Sequence, residues 1–211
     1  MYDVIIIGAG PAGLFSAYEL IEKNNKLKVL LIDQGKFASG RVCFMNKYGT
    51  KCLNCKPCQI LSGYGGAGTF SDGKLNYVPK LGKSDLYKYM SSDEAEQLLV
   101  DTEEIFNKFG MDSDVYPTNM DEALRLKKEM AKLGAKLLII KQKHLGSDKL
   151  PGYIEDFTNY LKEKKVSIVE STEVIDVEDT KDKIIVHAKK NKKNIDYEGK
   201  YVVVAPGRTG A

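Results

Sequence analysis

Three glycines and one acid carry the clearest chemistry in this sequence. Gly8, Gly10 and Gly13 form a G-x-G-x-x-G run, and Asp33 follows 20 residues after the last of them. Gly8 suits a tight turn, Gly10 lets backbone touch a pyrophosphate, and Gly13 lets a helix pack close to a sheet. A carboxylate at Asp33 suits the hydroxyls of a ribose. Pro11 and Ala12 inside the run, and Gln34 after the acid, belong to the same set of candidate contacts. The chemistry implied is the binding of an adenine dinucleotide.

Four cysteines form a second group. Cys52, Cys55 and Cys58 run C-x2-C-x2-C, with Cys43 nine positions upstream. Three thiolates at that spacing, with Cys43 as a fourth ligand, suit zinc or an iron–sulfur cluster. Cys55-Lys56-Pro57-Cys58 also has the C-x-P-C form of a thiol–disulfide exchange site. These cysteines do not open a helix of the kind that lowers a thiol pKa. Four free or loosely structural thiols are the third reading.

A third group is glycine-rich. Five glycines fall between positions 63 and 73, so backbone there can approach a flat or charged ligand. Gly65, Gly66 and Gly68 are the candidate contacts, and Asp72 and Lys74 close the run. Of the two histidines, His187 falls in a strand pattern. His144 falls in a turn, where it suits either a proton donor or a plain turn residue. No Ser/His/Asp set, phosphate-binding P-loop or HExxH motif occurs, so hydrolase and kinase chemistry have no support.

These groups need elements to hold them. A β-branched run over 4–7 reads as a buried parallel strand. Leu14, Ala17, Tyr18 and Ile21 give the next segment a helical apolar face, and 29–32 reads as a second strand. Residues 34–78 lack periodicity, and a stretch that long without structure points to function. Helices are expected over 92–109, 119–133 and 150–165, with a strand over 136–141. Asn119 is the expected cap of the second helix; Gly110 and Gly134 are expected stops. From 166 the pattern turns to strands: 166–170, 173–178, 183–188, 194–197 and 201–205.

Composition bounds the reading. A chain of 211 residues with a net charge of +3 and dispersed lysines has no aromatic-interleaved basic patch, so nucleic acid is not an expected partner. No apolar run approaches the roughly 20 residues of a membrane span. Met1 leads straight into the first strand, so no signal peptide is read and a cytoplasmic location is expected. There the cysteines are more readily thiols, metal ligands or redox groups than structural disulfides.

The order of elements resembles the FAD-binding domain of the glutathione-reductase-like flavoproteins. A β-α-β unit opens, a later helix precedes a third strand, a small β-meander follows, and a fourth strand returns to a glycine turn. The resemblance implies that Val174 meets the adenine, that Gly40-Arg41 sits in a flavin-contacting loop, and that Ala205 and Gly207 turn past the cofactor. The middle of the chain resembles a narrower group of FAD-dependent dehydrogenases without established substrates. It does so through Arg41-Val42-Cys43, the Cys52 to Cys58 run, and Ser62-Gly63-Tyr64-Gly65-Gly66-Ala67-Gly68 continuing to Lys74-Leu75. His144-Leu145-Gly146-Ser147-Asp148 and Ala205-Pro206-Gly207-Arg208-Thr209-Gly210 complete that likeness. Flavoproteins of this type are longer, so the chain is expected to be the N-terminal part of one, lacking a substrate domain and a last flavin-side strand.

The expectation is thus an α/β protein. It has a Rossmann-like FAD-binding domain at 1–41 and 150–211, with a parallel sheet and a β-meander. A helical, cysteine-containing segment is inserted at 42–149. The expected activity is FAD-dependent oxidation or reduction of a small-molecule substrate, with NAD(P)H as a candidate electron donor. The candidate catalytic groups are Cys55, Cys58, Lys74 and His144; a lysine at position 74 would stabilise an anionic reduced flavin. The alternatives are a non-catalytic dinucleotide-binding module with a structural metal at the cysteines, and an NAD(P)-only dehydrogenase, which the meander disfavours.

Overall fold

Strand β1 (Tyr2–Ile7), helix α1 (Pro11–Lys23) and strand β2 (Val29–Ile32) open the chain in a computed structural model that describes residues 1–146 and 148–209. Pro11 starts α1 at a position where its fixed φ fits and its missing N–H costs no hydrogen bond. Leu14, Ala17, Tyr18 and Ile21 are all buried, as their spacing requires. β2 is buried at every residue, which explains its unbroken apolar sequence.

The chain then forms a short helix, α2 (Phe44–Tyr48), and a 3-10 helix at Gly66–Phe70, before entering a second compact unit. That unit is Asp72–Lys149; the first is Met1–Ser71 with Leu150–Ala211. The second unit holds strands β3 (Lys74–Asn76), β4 (Lys80–Leu81) and β5 (Ser84–Asp85), helices α3 (Ser92–Lys108) and α4 (Met120–Lys132), and strand β6 (Gln142–His144). Ser91 and Glu94 form a capping box at the start of α3, and the Asn119 side chain caps α4. Gly110 and Gly134 follow these helices with positive φ, as expected of stops. No described helix is long and apolar enough to cross a membrane.

Helix α5 (Leu150–Glu163) returns the chain to the first unit, followed by strands β7 (Ser167–Val169), β8 (Thr172–Asp179), β9 (Ile184–Lys190) and β10 (Lys193–Val204). One six-stranded sheet results, in the order β7-β2-β1-β10-β9-β8. The β7-β2-β1-β10 part is parallel and β10-β9-β8 is an antiparallel meander. Gly13 lies against Ile6, which places α1 on that face of β1. On the same side Phe157 of α5 meets Phe15 and Tyr18 of α1 edge-on, at 5.4 and 5.7 Å. Burying Phe157 contributes about 1.5–3 kcal/mol. On the other face Ile5, Leu30 and Ile32 pack with Val186, supported by Val174, Tyr197 and Val202.

Two elements differ from the sequence reading. The segments 194–197 and 201–205 belong to one strand, β10. Its first part pairs antiparallel with β9 and its second part parallel with β1, and Gly199 takes part in both pairings. A Cβ at Gly199 would lie 2.9 Å from the Ile5 side chain, so the glycine permits continuity rather than a break. The strand expected at 136–141 is irregular backbone, and pairing begins only at β6. Leu138 is exposed, so this apolar run lacks the buried face that would hold it as a strand.

Candidate functional site: a glycine-walled groove

The groove lies at the carboxyl ends of three parallel strands, where β1, β2 and β10 run into Gly8, Asp33 and Ala205. Open α/β sheets bind ligands at that end. Its larger part has a volume of about 230 Å³ and is walled by Gly8, Gly10 and Pro11, by Leu61–Gly63 and Gly66–Gly68, and by 205–208. A second pocket of about 160 Å³ is lined by Ile7, Ile32, Glu173 and Val174 and shares Gly8, Asp33, Gln34 and Pro206 with the first. The two pockets therefore adjoin, with Asp33 in the wall of both.

The glycines have distinct jobs. Gly8 has φ +99°, and a Cβ there would stand 2.2 Å from the Ala205 carbonyl oxygen. A Cβ on Gly13 would stand 1.8 Å from the Gly8 carbonyl oxygen, so Gly13 is a packing glycine beneath the turn. Gly10 and Gly66 face each other: a Cβ on Gly66 would come within 3.1 Å of Gly10 Cα. The glycine turn and the 63–68 loop thus touch backbone to backbone, with no side chain between them. Gly10 precedes α1 with no side-chain cap, so first-turn N–H groups of this helix have no capping side chain.

Asp33 is buried, and both its oxygens are engaged. Oδ2 accepts from the Ala9 amide at 2.8 Å and Oδ1 from the Gly35 amide at 2.7 Å. Each carboxylate oxygen retains capacity for a further donor. Asp33 therefore shapes the glycine turn as well as lining the groove.

Arg41 is placed differently from the expectation of a direct cofactor contact. Its side chain is 5% exposed and lies outside the groove lining. Nε donates to the Gln59 carbonyl at 2.9 Å and Nη2 to the Ile60 carbonyl at 2.6 Å. Nη1 donates to the Tyr64 and Gly66 carbonyls and to Thr69 Oγ1, at 2.9–3.0 Å. Burial lowers the guanidinium pKa, the nearby charge of Asp33 opposes this only in part, and the group remains a cation. These bonds tie the loop 59–69 to the first unit, whereas composition groups it with the inserted segment.

Tyr64 anchors the same loop from below. It is fully buried, with its hydroxyl shared between the Leu31 and Val169 carbonyls at 3.2 Å each. Burial and the charge of Asp33 push its pKa far up, so it is a neutral donor. Gly65 donates to the Ala9 carbonyl at 2.8 Å and holds φ +82°; it sets the loop's turn and does not line the groove. Ala12 and Gly40 are also outside the lining.

The cysteines do not assemble. All four are free thiols, with Cys52 and Cys55 exposed and Cys43 and Cys58 half-buried. Among the described residues no group of three or more His, Cys, Asp or Glu side chains is disposed to hold a metal ion. Cys52 instead takes a local contact, accepting from the Asn54 amide at 3.4 Å. A close C-x2-C-x2-C spacing permits convergence but does not impose it where no helix or hairpin folds the loop back.

Lys74 and His144 are cross-strand partners in the β3–β6 pair of the second unit. Lys74 bonds Asp72 at 2.8 Å, which holds the Asp72 carboxyl below its ordinary value, helped by His144. A Cβ on Gly73 would come 2.9 Å from backbone of Gly146, so two motif stretches far apart in sequence share one compact corner. Ser147 and Gly210 of those motifs lie outside the described residues.

Sequence reasoning missed Leu61, Ser62 and Ala67 as groove walls, along with Glu173, Pro206 and Arg208. The adjoining glycine run and the Pro206-Gly207-Arg208 turn were the available signals. Asp33 and Arg208 are the two charged side chains lining the larger pocket among the described residues.

A parallel β-α-β start, a glycine turn against an uncapped helix and an acid at the end of the second strand define a Rossmann-like dinucleotide-binding domain. The chain belongs to the pyridine nucleotide-disulphide oxidoreductase family, whose profile matches residues 2–211. LodB of Marinomonas mediterranea, named as a candidate FAD-dependent oxidoreductase, is 49% identical over 41 residues, which are 19% of this chain and 11% of LodB. Glycine oxidase from Bacillus cereus superposes with a TM-score of 0.53 at 17% identity, covering 98% of this chain and 55% of that enzyme. An L-amino acid deaminase from Proteus vulgaris, with its specific insertion deleted, gives 0.52 at 16% identity over 99% of this chain and 54% of its own. The chain thus spans about half the length of these solved relatives, and the likeness is one of fold.

Proposed function

We propose that this chain is the FAD-binding part of an oxidoreductase acting as a dehydrogenase on a small-molecule substrate. The observation that carries the reading is the pair of adjoining pockets that runs from Val174, with Gly8 and Asp33 in both walls, to the 205–208 turn. Gly8, Gly10, Gly66 and Gly68 leave a stretch of the groove wall as bare backbone, which suits close approach of a diphosphate. N–H groups at the start of α1 would face its charge, Asp33 and Gln34 the ribose, and the Val174 pocket the adenine. Bound flavin would supply the hydride and electron chemistry; the protein's own residues bind, orient and exclude water.

NAD(P)H is the candidate electron donor in this reading, because a nicotinamide can pass a hydride to a bound flavin. A cytoplasmic location, where thiols such as the four free cysteines stay reduced, belongs to the same reading. The test is an absorbance spectrum of the purified chain, before and after adding FAD, with the cofactor released by acid. A flavin spectrum with stoichiometric FAD is expected. No retention of FAD at saturating concentration, with the chain folded by circular dichroism, would overturn the cofactor assignment.

A further inference from the structure

Arg41 is a buried cation that no carboxylate contacts; Asp33 acts on it only through space. Among the described residues no carboxylate lies within salt-bridge distance of its guanidinium, and its five hydrogen bonds all go to neutral oxygens. Burying a charge is costly unless it is paired or strongly hydrogen-bonded, and a fully hydrogen-bonded cation still benefits from a nearby anion. The Phe70 ring, 4.8 Å from the guanidinium carbon, adds a weak cation–π contact only.

The carbonyls that receive these bonds determine where the neighbouring amides point. In a trans peptide the C=O and the following N–H lie on opposite sides. With the Ile60 and Gly66 carbonyls turned to Arg41, the Leu61 and Ala67 amides point away from it, and both residues line the groove. A cation on the carbonyl side also polarises each peptide and strengthens its N–H as a donor.

Resting on the FAD reading of this groove, we propose that Arg41 is its positioning residue. Arg41 acts through the Leu61 and Ala67 peptides, and its charge, which no protein acid contacts, is complemented by the diphosphate of the bound ligand. The guanidinium fork is required because five acceptors on four loop residues and Thr69 converge on it; a lysine ammonium has three donors and cannot serve them together.

The test compares ADP, which carries a diphosphate, with adenosine, which does not. Affinities are measured by calorimetry on the wild-type chain, Arg41→Met and Arg41→Lys, each checked for folding by circular dichroism. Arg41→Met is expected to weaken ADP by roughly tenfold or more and adenosine by less than about twofold, with Arg41→Lys recovering part of the ADP loss. If ADP and adenosine weaken equally, or neither changes, the proposal fails and Arg41 is a structural anchor only. If Arg41→Met does not fold, the same comparison is made on Thr69→Val, which removes one acceptor and should weaken ADP selectively by about threefold. An equal effect of Thr69→Val on both ligands, or none, overturns the proposal. A wild-type chain that binds neither ADP nor FAD would instead sink the cofactor reading itself.

Discussion

The Ala9 amide donates to Asp33 Oδ2 at 2.8 Å, so the acid at the end of β2 holds the glycine turn that follows β1. A second bond, from the Gly35 amide to Oδ1 at 2.7 Å, fixes the carboxylate against its own strand end. One side chain therefore joins two jobs, shaping the turn and offering the groove a hydrogen-bond acceptor.

Replacing Asp33 by Ala leaves two buried amides without their acceptor, at a cost of about 1–3 kcal/mol each at most. Asp33→Ala is expected to lower the urea midpoint and to weaken FAD at least tenfold. Asp33→Asn keeps the shape and one acceptor oxygen and should fall between. Equal stability of wild type and Asp33→Ala in urea titrations would show that these bonds contribute nothing net.

Gly10 and Gly13 separate binding from folding. A Cβ on Gly10 meets nothing closer than Gly66 Cα at 3.8 Å, an ordinary contact. Gly10→Ala should therefore fold with its melting temperature nearly unchanged while FAD affinity drops, since a methyl group would cover bare backbone in the groove wall. A Cβ on Gly13 meets the Gly8 carbonyl oxygen at 1.8 Å, which forces α1 away from the sheet. Gly13→Ala should cost roughly 3 kcal/mol or more and yield little folded protein. Thermal melts and flavin titrations on the two variants check the contrast.

His187 sits in β9 between two acids on neighbouring strands. Nδ1 lies 2.8 Å from Asp196 of β10 and Nε2 3.4 Å from Glu178 of β8, with Asp176 opposite it in the β8 register. Hydrogen bonds to Asp196 and Glu178 raise its pKa above the ordinary 6.5. A raised folded-state value means that the charged pairing stabilises the meander fully below about pH 6.5. That stabilisation is lost as pH rises through the raised value. Proton NMR titration should show His187 deprotonating above 6.5, with Asp196→Asn moving it down. His187→Gln should flatten the pH dependence of unfolding in this window. A His187 pKa at or below 6.5 would contradict the geometry.

The opening β-α-β unit and its acid were legible because their causes are local. Helical spacing of Leu14, Ala17, Tyr18 and Ile21, the proline at N1 and the glycine turn all act within one or two turns of chain. The cap at Asn119 and the stops at Gly110 and Gly134 read correctly for the same reason. The family resemblance, quoted from long contiguous runs, was equally legible and agrees with the profile matched over residues 2–211.

What only the tertiary structure decided are matters of long-range contact. Arg41 reads as a ligand contact in sequence, yet acceptors 18 to 28 residues away claim its donors. β10 reads as two strands, yet it is one, because whether Gly199 breaks or permits a strand depends on the Ile5 side chain across the sheet. The 136–141 run has strand-forming residues but no buried face to place them in. The cysteine spacing permits a metal centre, but spacing states only which side chains can meet. Whether they do depends on the backbone path between them, which packing elsewhere in the chain determines.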